Sequence, residues 1–377
     1  MTSRRHLLQL GAYLAAGGVL STALAESNPK TPKPQPAKSK TLLILGGTGF
    51  IGPHLTKEAL RLGWQVTHFN RGKRAPGGVS DVETLIGDRN GQIDALRGRK
   101  WDAVIDDTGQ IPKYVKMSAE LLAPNVGYCL YISSISAYAS FAKPNDENSP
   151  TGKLTDPNID KTTDETYGPM KALCEQYSAE AFKGRASIVR PGYIVGPLDG
   201  SDRFTYWPVR ASKGGEMLAP GTAHDPIQII DVRDLATWMM KLTQERTTGY
   251  FNAISPPRAF TMGDIITASL HASPSAGSKA TWVPEEFLAK QWKPEELDLP
   301  PWSPMSGETA GASLTSTARA QKAGLKIRPM RETVNDTLEW FHSLPADRQA
   351  KPRAGIDPQK EADTLRAWHA GGGKKSA

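Results

Sequence analysis

Thr41-Leu42-Leu43-Ile44-Leu45-Gly46-Gly47-Thr48-Gly49-Phe50-Ile51-Gly52 is the stretch on which the reading of this chain turns. Thr41 and the four apolar residues that follow it predict a strand buried on both faces, as in a parallel sheet. A glycine-rich turn follows at once, and a helical pattern runs from Pro53 to Leu62. Gly46, Gly49 and Gly52 keep a three-residue spacing. The first permits a tight turn, the second lets backbone approach a pyrophosphate, and the third lets the helix pack on the strand. The helix N-terminus would offer unpaired amides and a positive dipole end to the phosphates. Strand, turn and helix in this order point to a dinucleotide held by Gly46, Thr48, Gly49, Phe50, Ile51 and Gly52.

Moving outward, strand and helix patterns alternate, which predicts an α/β fold of the Rossmann type, a doubly wound parallel sheet with a smaller C-terminal substrate-binding region. The second strand, Gln65–Phe69, runs into Asn70-Arg71-Gly72-Lys73-Arg74. An acidic residue here would accept from a ribose 2′-hydroxyl. This chain has three cations instead, so Asn70 and Arg71, with Lys73 or Arg74, favour NADP over NAD; the alternative is a solvated basic loop. Further strands are expected over 84–88, 101–107 and 128–134. Asp88 would accept from the adenine amino group, and Asp106, Asp107, Thr108, Ser133 and Ser134 fall at the ligand-facing strand ends. The seven histidines show no metal-ligand spacing, so no metal site is expected and His68 is read as a strand residue.

Tyr167 and Lys171 stand four apart on a predicted helix and share a face. A nearby ammonium would lower the phenol's pKa and fit it for proton exchange with a hydroxyl or carbonyl. Such a pair alone is more often a surface feature than a site. Taken with GGTGFIG at 46–52, YISSISAY at 131–138, YGPMK at 167–171, RPGYIVGP at 190–197 and IDVRDLA at 230–236, however, the chain resembles the extended short-chain dehydrogenase/reductase family, in its NAD-dependent epimerase/dehydratase branch. The resemblance covers residues 41–260. It implies Ser134, Tyr167 and Lys171 as catalytic residues, Lys171 also on the nicotinamide ribose, and Pro191 to Ile194 closing over the nicotinamide. Members often pair as dimers through a helix bundle. Ile135 and Ser136 stand where the dehydratases carry an Asp-Glu pair, which argues against sugar dehydration. Tyr193 replaces the Asn that usually contacts a sugar diphosphate.

The expected organisation is a twin-arginine signal over 1–25, a Pro/Lys-rich linker over 26–40, a nucleotide-binding domain over 41–190 rejoined by 228–255, a substrate-binding region over 191–227 and 256–345, and a C-terminal tail with a helix over 346–377. Arg4 and Arg5, a modest apolar stretch and Ala23-Leu24-Ala25 resemble an export signal read by its machinery, placing the protein in the periplasm or outside the cell. An uncleaved membrane anchor is the alternative. The charge of +7 from 46 basic and 39 acidic residues is concentrated at this end. Arg4 and Arg5, then Lys30, Lys33, Lys38 and Lys40 against Glu26, account for +5, so the body is close to neutral and no nucleic-acid partner is expected.

Arg203 either holds an anionic group or pairs with Asp202. Trp282, Trp292 and Trp302 read better as core anchors than as a stacking pocket. Asp231 suits a helix N-cap, with Arg233 and Asp234 packing the two regions together, and helices are expected over 332–344 and 358–369. Cys129 and Cys174 are read as separate buried thiols. The function expected is an exported oxidoreductase or epimerase acting at a hydroxyl or carbonyl carbon of a sugar-like or other small substrate. A non-catalytic module of the same fold, binding a ligand, an RNA or a protein, is the alternative.

Overall fold

The computed structural model describes residues 39–372, apart from 74–78, 80–81 and 298. The expected signal, the linker up to Lys38, Arg74 and the last five residues lie outside the described residues. Seven strands form one parallel sheet. They are β1 (Thr41–Leu45), β2 (Gln65–Asn70), β3 (Glu83–Ile86), β4 (Ala103–Asp106), β5 (Cys129–Ile132), β6 (Ala186–Pro191) and an edge strand Gly249–Ala253. Their spatial order is β3-β2-β1-β4-β5-β6 and then the edge strand, with the chain reversing its direction of travel at β1. Leu42 to Leu45 pair with Val66 to Phe69 on one side and Ala103 to Asp106 on the other. Flanked by strands and covered on both faces, Leu42, Leu43 and Ile44 are inaccessible to solvent, which is why the run is apolar without alternation.

Helix α1 (Gly52–Arg61) lays Leu55 and Ala59 on one face of the sheet beside Leu235 and Met239 of α5 (Val232–Glu245). Helices α2 (Pro112–Leu122) and α3 (Asp164–Phe182) cover the other face with Ala119, Leu122 and Phe182. At the β3 edge Glu83, Thr84 and Ile86 are exposed, Ile86 at 61%.

A second core lies after β6. Phe204, Trp207 of α4 (Tyr206–Ser212), Met217, Ile265, Trp292, Trp302, Val334 and Leu365 pack together in it. Trp292 and Trp302 are buried core members, their indole N–H groups donating to Thr364 Oγ1 at 2.9 Å and Asp225 Oδ2 at 2.7 Å. The expected helices appear as Met330–His342 and Pro358–Ala370. The last is more than a tail, since Leu365 joins the second core. Cys129 and Cys174 are free and buried. Among the described residues no helix is long and apolar enough to cross a membrane.

Candidate active site

The glycine turn has the geometry its spacing implies. Gly46 and Gly47 take φ of +116° and +84°, a region that side chains with a Cβ rarely enter. A Cβ on Gly52 would lie 2.4 Å from the Gly47 carbonyl carbon, whereas one on Gly49 would meet nothing within 4 Å. The third glycine therefore permits close packing, and the second leaves open backbone facing the crevice. Helix α1 begins at Gly52 rather than Pro53, with Pro53 in its first turn. His54 Nε2–H donates to the Pro197 carbonyl at 3.0 Å, tying this helix to the 190–197 segment. Burial holds the His54 pKa below its ordinary value.

A cavity of about 360 Å3 opens beside the turn. It is lined by Gly46, Thr48, Gly49, Asn70, Arg71, Lys73, Asp88 and Arg89. Asn70 Oδ1 accepts from Gly72 N at 2.8 Å and so shapes the basic loop. Arg71 and Lys73 are exposed, and neither has a carboxylate partner among the described residues. Strand β3 ends at Ile86, so Asp88 lies in the turn after it, accepting from Asn90 N at 3.2 Å.

Two residues grouped with the ligand-facing positions are engaged inside the protein. Asp106 receives Arg89 through both oxygens, at 2.6 and 2.7 Å. Ser133 Oγ donates to Glu175 Oε1 at 2.5 Å, and Glu175 is held in turn by Arg190 at 2.8 and 2.6 Å. Sequence reading missed Arg89, Glu175 and Arg190, because partners that are distant in sequence carry no local signal. A buried charge in a strand, as at Arg190, was the available hint. Asp107 does face the site. Burial and the neighbouring Asp106 charge push its pKa up to about 7, against the opposing pull of Lys171 and the Gly47 N–H.

The second cavity, of about 540 Å3, meets the first at Gln110. Phe50, Ile51, Ser134, Ser136, Tyr167, Lys171 and Pro191 to Ile194 all line it. The sequence thus brings its proposed catalytic trio to one place. Helix α3 starts three residues before Tyr167, capped by Thr163, whose hydroxyl accepts from Thr166 N at 3.2 Å. Gly168 then brings the helix against the turn after β5: a Cβ there would stand 2.0 Å from the Ser136 carbonyl oxygen. Ser134 caps the short 135–137 turn, accepting from Ser136 N at 3.1 Å, while its own hydroxyl donates to Ser136 Oγ at 3.1 Å; it shares the cavity wall with Tyr167.

The expected depression of the Tyr167 pKa by Lys171 is not what the structure gives. Burial raises the phenol above its ordinary value, and the groups opposing this are Ser134 and Arg203. Lys171 Nζ is engaged elsewhere, donating to the Gly109 and Ile132 carbonyls at 2.7 and 2.6 Å, beside the Tyr131 ring. Its burial, at 4% exposure, lowers its own pKa to about 8. Residues 143–165 do not line this cavity, whereas Phe141, Ser303, Thr309 and Ser313 do.

Comparison with known proteins agrees with this geometry. The chloroplast stem-loop binding protein of 41 kDa b of Arabidopsis thaliana is 28% identical over 218 residues, 53% of this chain and 54% of that protein. This chain spans about half the length of that curated relative. The Bordetella bronchiseptica enzyme WbmH, solved with NAD+, superposes with a TM-score of 0.57 at 16% identity, over 81% of this chain and 99% of the other. The human epimerase family protein SDR39U1 (isoform 2), solved with NADPH, does so with a TM-score of 0.54 at 18% identity, over 79% and 99%. At these identities the two structures establish the shared fold. The sequence model of the NAD dependent epimerase/dehydratase family matches residues 42–253, from the first residues of β1 to the end of the edge strand. With the glycine turn, the Ser134–Tyr167–Lys171 cluster and the parallel sheet in place over that span, the chain belongs to the NAD dependent epimerase/dehydratase family, within the short-chain dehydrogenase/reductase superfamily.

Proposed function

We propose that this protein is an exported oxidoreductase or epimerase that uses NADP(H) in preference to NAD(H) and acts at a hydroxyl- or carbonyl-bearing carbon of a small, sugar-like substrate. The observation that carries this reading is the convergence of Ser134, Tyr167 and Lys171 on the cavity that Phe50, Ile51 and Pro191 to Ile194 also line. The residues present fit a dinucleotide. Gly49 leaves backbone open where a Cβ would meet nothing, and the adenine-side cavity has cations at Arg71 and Lys73 and Asp88 as an acceptor.

A bound nicotinamide would supply or accept the hydride. The chain's own residues manage the oxygen and its proton. Tyr167 donates the proton to a developing alkoxide, or takes it from a hydroxyl, at its phenol oxygen. Ser134, on the same cavity wall as that phenol, donates a hydrogen bond to the same substrate oxygen and fixes its position. Lys171 presents a positive charge beneath the site and lies where it can turn from the Gly109 carbonyl to ribose hydroxyls. Gly46, Thr48 and Gly49 would hold the pyrophosphate of a bound dinucleotide, and Arg71 a 2′-phosphate. Export rests on Arg4, Arg5 and Ala23-Leu24-Ala25. A compartment without a nicotinamide pool suits a tightly held cofactor that regenerates within one catalytic cycle. The test is to denature the mature exported protein and identify the released dinucleotide by chromatography and absorbance. Stoichiometric NADP(H) is expected, and Tyr167→Phe should retain it while losing at least about a hundredfold in turnover. A protein that neither carries nor binds either dinucleotide would remove this reading.

The name of the Arabidopsis relative favours a second reading, a module that binds an RNA stem-loop. The near-neutral body weighs against it. Tight, salt-dependent stem-loop binding unaffected by Tyr167→Phe would support it.

A further inference from the structure

Arg203 is the feature that the proposed chemistry leaves unused. Its sequence neighbour Asp202, the obvious counter-ion, faces away. Asp202 has φ of +61°, is 1% exposed, and accepts from Arg348 Nη2 at 2.6 Å and Arg353 N at 2.9 Å. Arg203 is exposed and borders the cavity that holds Tyr167 and Ser134. Its Nε donates to Ser201 Oγ at 3.2 Å, and its guanidinium lies over the Tyr193 ring at 5.2 Å. No carboxylate forms an ion pair with it among the described residues. The acid that feels its charge is Asp199, which is buried and accepts from Ser201 N at 2.9 Å. Lys171, the other cation of this cavity, is turned to backbone carbonyls. A guanidinium laid on an aromatic face keeps its edge N–H groups in one plane, the arrangement that receives two oxygens of an oxyanion.

We propose that Arg203 is a substrate-binding residue that selects hydroxy or keto compounds carrying an anionic oxyacid group, a carboxylate or a phosphate, and holds that group while the reacting oxygen lies at Ser134 and Tyr167. This rests on the reading of the cavity as an oxidoreductase site. It separates this enzyme's substrates from neutral sugars and alcohols. Of the two cations that line the cavity, Lys171 is held by backbone carbonyls, which leaves Arg203 to receive a charged end.

The experiment uses the full chain with its dinucleotide content measured first. Binding of glycerate, glycerol 3-phosphate and glycerol is followed by calorimetry for the wild type, Arg203→Gln and Arg203→Lys. At least one anion should bind saturably and at least about tenfold more tightly than glycerol. Arg203→Gln should remove that difference, and Arg203→Lys should restore part of it. Dinucleotide affinity should be the same in all three. Preference for glycerate over glycerol 3-phosphate, or the reverse, identifies which oxyacid the site takes. Equal binding of anions and glycerol, no saturable binding of either anion, or an anion preference that survives Arg203→Gln would overturn the inference. Absence of dinucleotide with anion binding that depends on Arg203 would sink the oxidoreductase reading and leave the anion site standing.

Discussion

Asp107 shows how much a single side chain in the crevice is set by its surroundings. Its carboxyl sits behind Gly46 and Gly47, beside the charge of Asp106, and its pKa is pushed up to about 7 from 3.8. The folded state therefore holds a proton that the unfolded chain has already lost. Stability from this group is highest below about pH 4 and falls as pH rises toward 7. Asp107→Asn removes the dependence. Thermal melts should show the variant gaining on the wild type from pH 4 to 7, with a constant advantage above 7; parallel melting curves at both ends would refute this. NAD affinity should weaken across the same interval in the wild type, as a carboxylate forms near the pyrophosphate site, and stay flat in Asp107→Asn. The strand-end position of Asp107 was legible in the sequence. Its protonation was not, because that depends on Asp106, Lys171 and Gly47 meeting in space.

At the scale of the element, the alternation of apolar runs and helical periods marked β1, α1, β2 and α3 well, since each is decided by local pattern. Boundaries moved where caps and turns intervene: Thr163 starts α3 earlier than the Tyr167 motif suggested, and β3 stops at Ile86 short of Asp88. What spacing alone did not reveal is how α3 is placed. Gly168 lets the helix backbone rest on the Ser136 carbonyl, and the buried Glu175–Arg190 pair fastens it to β6. Gly168→Ala should force the helix from the Ser134 turn and shift the Tyr167 phenol relative to Ser134. Turnover is expected to fall at least about tenfold while dinucleotide content is retained. Unchanged turnover would show that this approach does not position Tyr167. Glu175→Gln leaves a buried guanidinium without its counter-ion and should cost roughly 3 kcal/mol in denaturant unfolding. A loss no larger than that of an exposed pair would contradict the account.

For the whole molecule, the central question is how the sheet domain of this family is joined to a second core that sequence patterns described loosely. The sheet was readable because every strand repeats the same physical constraint. The second core draws on pieces scattered from Phe204 to Leu365, and no local period announces such an assembly. IDVRDLA proves to be a junction between them. Asp231 caps α5 through Arg233 N at 2.9 Å, binds the Arg233 guanidinium at 2.9 and 2.7 Å, and accepts from Thr333 Oγ1 at 2.8 Å. Arg233 reaches on to Asp336, and Asp234 holds Arg328 at 2.9 and 2.6 Å. These bonds bind α5, which covers the sheet, to the Met330–His342 helix of the second core. The Asp231 pKa is lowered overall: burial opposes ionisation, but the Arg233 hydrogen bonds and the Arg233 and Arg328 charges outweigh it. Its contribution is therefore present above the unfolded value of 3.8 and lost as pH falls through the lower folded one. Asp231→Ala should cost about 3 kcal/mol at neutral pH, read as a lower denaturation midpoint. The difference from wild type should shrink in strongly acidic solution, where the native carboxyl is protonated as well. A constant difference across that range would mean that the residue acts through packing alone. Because Arg203, next to Phe204 of the second core, lines one cavity with Tyr167 only if the two regions keep their register, the same variant should raise KM for the substrate more than it changes dinucleotide affinity.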